Sequence, residues 1–228
     1  MERKRNISRD VLDGGSVTLL GWLGDSLYPA QVARTSTGSA GSPERDARLV
    51  RRLHVDRHTS PFEFIQFEFH VRAPIFVIRQ WQRHRTASYN ERSGRYSIME
   101  TEFHIPEEWR SQHDKNRQMS GEPITGPDKV NASEMYAHAL EVAASTYRAL
   151  LEIGVAREQA RAILPLSLYT EMRVSVDAHN LYHFLTLRMA EDAQPEIRVY
   201  ADAIVDILGS MPEFRDLVEI WGFGEKDT

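Results

Sequence analysis

The densest run of chemically capable side chains lies between Gln80 and Tyr96: Gln-Trp-Gln-Arg-His-Arg-Thr-Ala-Ser-Tyr-Asn-Glu-Arg-Ser-Gly-Arg-Tyr. Arg83, Arg85, Arg92 and Arg95 are planar donor forks that grip phosphate or carboxylate in bidentate fashion, where lysine is nearer a point charge. Gln80, Arg83 and His84 share one helical face by their spacing of three and four. Ser93-Gly94-Arg95 can place a hydroxyl, closely approached backbone N–H groups and a guanidinium around one phosphate. A solvated arginine-rich face is the plainer explanation, but such faces are built of Lys/Glu pairs, whereas Asn, Glu, Ser and Tyr are interleaved here.

Further candidates lie downstream and upstream. Arg157 and Arg161 are four apart and face the same way. Asp177, His179, His183 and Arg188 fall on one later segment. His179 and His183, or His54 and His58, have the i, i+4 spacing of a metal pair and would suit a histidine-metal hydrolase. No HExxH pattern accompanies them, so no metal site is expected. The 228 residues contain no Cys, which excludes disulfides, thiolate zinc, iron–sulfur clusters and a cysteine nucleophile.

These groups need elements to hold them. Ser16–Trp22 reads as a strand, Asp25 and Ser26 cap a helix toward Arg34, and Ser42-Pro43 starts a helix to about Val55. Ile65, Phe67, Phe69 and Val71 alternate with polar residues, as in a half-buried antiparallel strand. Pro74 opens a helix through Trp81. Residues 85–97 are polar and turn-rich, and Tyr96–Ile105 reads as a strand. The polar stretch 106–127, with three Pro and two Gly, is a surface excursion. A long helix follows from about Pro127 to Ile153, with Val130, Ala137, Leu140, Ala144, Tyr147 and Leu151 on one face. A helix carrying Arg157 and Arg161 runs to Pro165. Leu168–Val176 alternates as a strand, Asp177 caps the helix bearing His179, His183 and Arg188, and Pro195 begins a last helix to Gly209. Strands and helices mix without a βαβ rhythm, so the expected class is α+β, a single domain over 1–228 with an antiparallel-containing sheet flanked by helices.

Composition narrows the function. The charge is 28 Lys+Arg minus 33 Asp+Glu, or −5, and only Lys4, Lys115, Lys129 and Lys226 are lysines. An arginine-rich nucleic-acid-binding protein is the alternative, but net acidity and scarce lysine argue against it, so no nucleic-acid partner is expected. No apolar run nears the roughly 20 residues of a membrane span, and the basic start Met1–Asn6 is not followed by a signal region. A cytoplasmic protein without a membrane partner is expected.

The run Arg83-His84-Arg85-x-x-Ser88-x-Asn90-Glu91-x-Ser93-x-Arg95-Tyr96 resembles the signature of the flavin-dependent thymidylate synthases at every fixed position. His58-Thr59-Ser60-Pro61-Phe62-Glu63 and Ala73-Pro74-Ile75-Phe76-Val77 resemble the same family. So do Gly154-Val155-x-Arg157-Glu158-x-Ala160-Arg161 and Asn180-Leu181-x-x-Phe184-Leu185-x-Leu187-Arg188. The similar span covers roughly residues 15–210, in the family's order. Asp192 stands where many relatives have His, which questions the local helix start, and residues 106–127 match nothing in the pattern.

The resemblance implies methylation of dUMP to dTMP with 5,10-methylenetetrahydrofolate as carbon donor, FAD as tightly bound hydride carrier and NADPH as reductant. It also implies a homotetramer with active sites shared between subunits. For dUMP it implies Gln80, Arg83, Glu91, Ser93, Gly94, Arg95, Arg161 and Arg188. Arg95 and Arg161, with Ser93 and Gly94, would hold the monophosphate, and Arg188 would stabilise the uracil ring deprotonated at N3. For FAD it implies Ser60, Arg83, His84, Arg85, Glu91, Asp177, His179 and His183, with His58 near the flavin and folate rings. The other type of thymidylate synthase adds a cysteine to uracil, a route closed to a chain without cysteine.

Overall fold

Alternation builds the centre of the molecule. In the computed structural model, which describes residues 6–223, β3 (Gln66–Pro74) buries Phe67, Phe69, Val71 and Ala73 and turns Gln66 to water. It lies between β2 (Gly15–Leu23) and β7 (Tyr169–Asp177), antiparallel to both. With β1 (Ile7–Val11) and β4 (Ser88–Glu91) at the edges, the order is β1-β2-β3-β7-β4, antiparallel throughout. Val17, Leu19, Met172, Val174 and Val176 join the β3 residues on the core face. On the other face Arg173 pairs with Glu68 at 2.6 Å and His70 lies 3.6 Å from Glu171. Helices pack on the core face, giving the mixed helix and antiparallel-sheet arrangement of the α+β class expected.

The helices start where capping chemistry puts them. α1 (Tyr28–Arg34) begins after Asp25, whose carboxylate accepts from the N–H groups of Leu27 and Tyr28. Ser42 Oγ accepts from Arg45 N at the head of α2 (Pro43–Val55). A single 3₁₀ turn, Ser60–Phe64, leads into β3, and Pro74 then caps α3 (Ile75–Trp81). Asp177 accepts from Asn180 N at 2.9 Å and opens α6 (Ala178–Arg188). α7 (Pro195–Gly209) starts at Pro195 despite Asp192, and it buries Ile197, Tyr200, Ala201, Ile204 and Leu208 as its periodicity required.

Several expectations are corrected. Tyr96–Ile105 is not a strand: the edge of β7 is already occupied by β4, and only Phe103 bridges to Leu168. Tyr96 N and Ser97 N instead bond to Ser93 O, closing a turn. The polar run 85–97 therefore hides a strand. Residues 106–127 contain a hairpin of β5 (Arg110–Gln112) and β6 (Ser120–Pro123). On α4 (Gly126–Glu152), Leu140, Ala144 and Tyr147 are buried, but Val130 and Ala137 are exposed. The segment from Arg157 divides into α5 (Arg157–Ala160) and a 3₁₀ turn, Arg161–Ile163. β1 and a short final helix, α8 (Arg215–Ile220), were not expected. The start Met1–Arg5, read above as lacking a signal region, lies outside the described residues, as do Lys4 and Lys226. Among the described residues no helix is long and apolar enough to cross a membrane.

Candidate active site

Two helix ends meet over the β4 side of the sheet. The last turn of α3 carries Gln80, whose side chain bonds to Gln194 and does not line the cavity; the chain then turns through Arg83, His84 and Arg85 into β4, while α6 brings Asn180, His183 and Arg188. Trp81 and Phe184 lock the two helices, their rings stacked at 4.6 Å. Between them lies a cavity of about 400 Å³. Phe69, Trp81, Val174, Val176 and Phe184 line it with apolar surface, and Arg83, Arg85, Arg188, His84 and His183 supply its charge and polarity. Among the described residues no carboxylate lines it. A cationic cleft with an apolar floor suits an anion that carries a flat ring.

Arg188 is held from behind. Its Nε donates to His84 Nε2 at 3.0 Å and its Nη2 to the Gln80 carbonyl at 3.3 Å. Because His84 Nε2 accepts, the ring is the neutral tautomer with its proton on Nδ1. Burial, then the Arg188 charge, then His183 push the His84 pKa down to about 4. Burial also lowers Arg188 below its usual value, yet a guanidinium stays charged at neutral pH. Tyr89 on β4 fixes the backbone beneath, donating to His84 O at 2.6 Å; burial raises that phenol to about 12, so it remains a donor.

The other expected residues form neighbouring groups. Gly94 is buried, and a Cβ added there would sit 3.0 Å from Arg161 Cδ, so the Ser93–Arg95 turn lies directly against Arg161. Arg95 pairs with Glu158 at 3.3 Å, and its N–H donates to Ser93 Oγ. This cluster of Ser93, Gly94, Arg95 and Arg161 does not line the 400 Å³ cavity. Glu91 accepts from Gln82 Nε2 at 3.2 Å. His179 lines a second cavity of about 410 Å³ with Thr59, His54, Arg57 and Tyr182. His58 and Ser60 are exposed nearby in sequence. Both Asp177 oxygens are taken by Asn180, one by its N–H and one by its side-chain amide.

Some lining residues were invisible to pattern reading. Tyr89 and Thr86 line the first cavity and Arg57 the second without a role assigned from the sequence, while Asn180 entered only within a matched segment and His54 only as half of a metal pair. Asn180 offered one signal, its place three residues after an N-cap aspartate. Among the described residues no group of three or more His, Cys, Asp or Glu is arranged to hold a metal.

The antiparallel sheet, the helices packed on it and the cationic cleft beside β4 define a mixed α+β fold with one arginine- and histidine-lined cavity. A family model described as thymidylate synthase complementing protein matches residues 19–212. The chain is 51% identical over 199 residues to a flavin-dependent thymidylate synthase of Thermus thermophilus, covering 87% of this chain and 73% of that one. It is 42% identical over 203 residues to one of Kosmotoga olearia, covering 88% and 87%. Its fold is similar to the crystal structure of a UMP/dUMP methylase, PolB of Streptomyces cacaoi, bound with 5-Br dUMP. The TM-score is 0.83 at 30% identity, and the match covers 93% of this chain and 97% of that one. The chain belongs to the flavin-dependent thymidylate synthase family.

Proposed function

We propose that the protein methylates C5 of dUMP to give dTMP, with FAD as its flavin, 5,10-methylenetetrahydrofolate as one-carbon donor and NADPH as reductant. The observation that carries this reading is Arg188: it is anchored by His84 and by the Gln80 carbonyl, its remaining N–H groups have no partner among the described residues, and no carboxylate neutralises it. Such a fixed fork stabilises negative charge on a uracil ring that has lost its N3 proton, making C5 the nucleophile. The route needs no thiol, in keeping with a chain that has none. FAD and the folate supply the hydride and the carbon when bound.

This chain's residues fit those groups. The apolar floor of the first cavity suits a flat ring system, with Arg83, His84, Arg85 and His183 around it and Ser60, Glu91, Asp177 and His179 from neighbouring positions holding FAD, and His58 beside the rings. Gln80, Arg83, Glu91 and Arg188 take the nucleoside, and Ser93, Gly94, Arg95 and Arg161 its phosphate. A cavity of about 400 Å³ lies near the low end of ligand pockets, roughly 300–1,000 Å³, and is too small for a dinucleotide and a nucleotide together. The phosphate-type cluster outside it, and exposed Val130, Met135 and Val142 along α4, support a homotetramer of single-domain subunits that complete one another's sites.

The deciding experiment is an anaerobic assay of the purified chain with dUMP, methylenetetrahydrofolate, FAD and NADPH, with dTMP as readout. Arg188→Ala should abolish dTMP while flavin absorbance near 450 nm is retained. Product formation by that variant would remove Arg188 from the activating role.

A further inference from the structure

The β5–β6 hairpin lies in the stretch that no motif explains, yet a chain of side chains ties it to the nucleotide site. Arg110 on β5 pairs with Glu196 Oε1 in the first turn of α7. Glu196 is 9% exposed. Its Oε2 accepts from Gln194 Nε2 at 2.8 Å. Gln194 Oε1 in turn accepts from Gln80 Nε2, and Gln80 is the residue whose carbonyl anchors Arg188.

This chain has a direction. Burial alone would raise the Glu196 pKa, but hydrogen bonds from Gln194, from its own backbone and from Arg110, with the Arg110 charge, hold it below the usual carboxylate range. An ionised carboxylate only accepts. Gln194 must therefore turn its NH₂ toward Glu196, which leaves its carbonyl oxygen toward Gln80. Gln80 must answer with its own NH₂, so its Oε1 is left over, with no partner among the described residues. An amide is otherwise free to flip, because its two ends have nearly the same shape.

We propose that Arg110 and Glu196 are positioning residues that fix the orientation of the Gln80 amide, so that Gln80 presents an acceptor oxygen to an N–H or O–H donor of the bound nucleotide. The inference rests on the reading above that Gln80 contacts dUMP. The hairpin acts through Arg110, which holds the ionised Glu196 in place, and Glu196 sets the polarity that reaches the site. A merely structural role for the ion pair would give stability and nothing directional.

The test uses the flavin-loaded full chain, with dUMP binding by equilibrium dialysis, flavin content and thermal unfolding measured in parallel. Glu196→Gln keeps the shape but lets the chain flip, and it should raise the Kd for dUMP about tenfold while flavin content is unchanged. Arg110→Lys keeps the charge beside Glu196 and should stay within about threefold of the parent. In a Gln80→Met background Glu196→Gln should add no more than about a twofold change, because the acceptor it orients is gone. Gln194→Met cuts the chain while leaving the ion pair, and should match the dUMP loss of Glu196→Gln even if the latter fails to load flavin. Unchanged dUMP affinity in Gln194→Met, or a full Glu196→Gln effect in the Gln80→Met background, would overturn the proposal. A parent protein that does not bind dUMP at all would overturn the reading of the site itself, and the proposal with it.

Discussion

Acidification should unfold this protein in a way that isolates His84. Its pKa falls from 6.5 in the unfolded chain to about 4 in the fold, first because the ring is buried, then because Arg188 and His183 lie beside it. A depressed pKa means the unfolded state takes up the proton first, so His84 contributes stability that is fully present above 6.5 and is lost as pH falls toward about 4. At about 1.4 kcal/mol per pKa unit the ceiling is about 3.4 kcal/mol. The ring is only half-buried, so solvent screening reduces the expected contribution to about 1–2 kcal/mol. His84→Gln removes the titration and keeps an acceptor for Arg188 Nε. Urea unfolding at fixed protein concentration between pH 7.5 and 4.5 should therefore give a steeper loss of stability for the parent than for the variant, with the other histidines cancelling. Parallel curves would refute the neutral-histidine arrangement behind Arg188.

Two further outcomes follow from other parts of the structure. Asp13 accepts from the Tyr169 hydroxyl at 2.5 Å and from Ile105 N at 2.8 Å, and it pairs with His104 at 2.5 Å. Asp13→Ala should cost about 2–3 kcal/mol in denaturant unfolding, since it orphans donors around a partly buried charge. Met135 is 73% exposed on α4, on the side turned away from the buried Leu140, Ala144 and Tyr147; Met135→Glu should leave the folded chain intact by circular dichroism but shift it to smaller assemblies in analytical ultracentrifugation.

Much of the scaffold was legible because local chemistry and tertiary demand agree. Ser42-Pro43 and Pro195 start helices where the missing proline N–H costs nothing, Asp177 caps α6 as its side chain requires, and the β3 alternation is a direct record of a one-sided sheet. What stayed hidden was decided by competition between segments. Ser88–Glu91 is a strand only because it fills the free edge of β7, and Tyr96–Ile105 is not one because that edge is already taken. The apolar stripe of α4 was legible, but its sequence does not say that the stripe meets this chain's core from Leu140 onward, through Tyr147 to Leu151, while Val130 and Ala137 stay exposed.

The order of residues by itself determined the chemistry available: arginine forks without cysteine, a Ser-Gly-Arg run at Ser93–Arg95, and histidines at 179 and 183. Side-chain type and spacing carry that information locally. Only the tertiary structure decided which of these groups meet. Contacts such as Arg188 against His84 and Gln80, or Gly94 against Arg161, join positions far apart in the chain, and their existence depends on how the helices settle on the sheet. The same holds for the path from Arg110 to Gln80, because hydrogen-bond direction is a property of neighbours in space and is not written in any one of the residues.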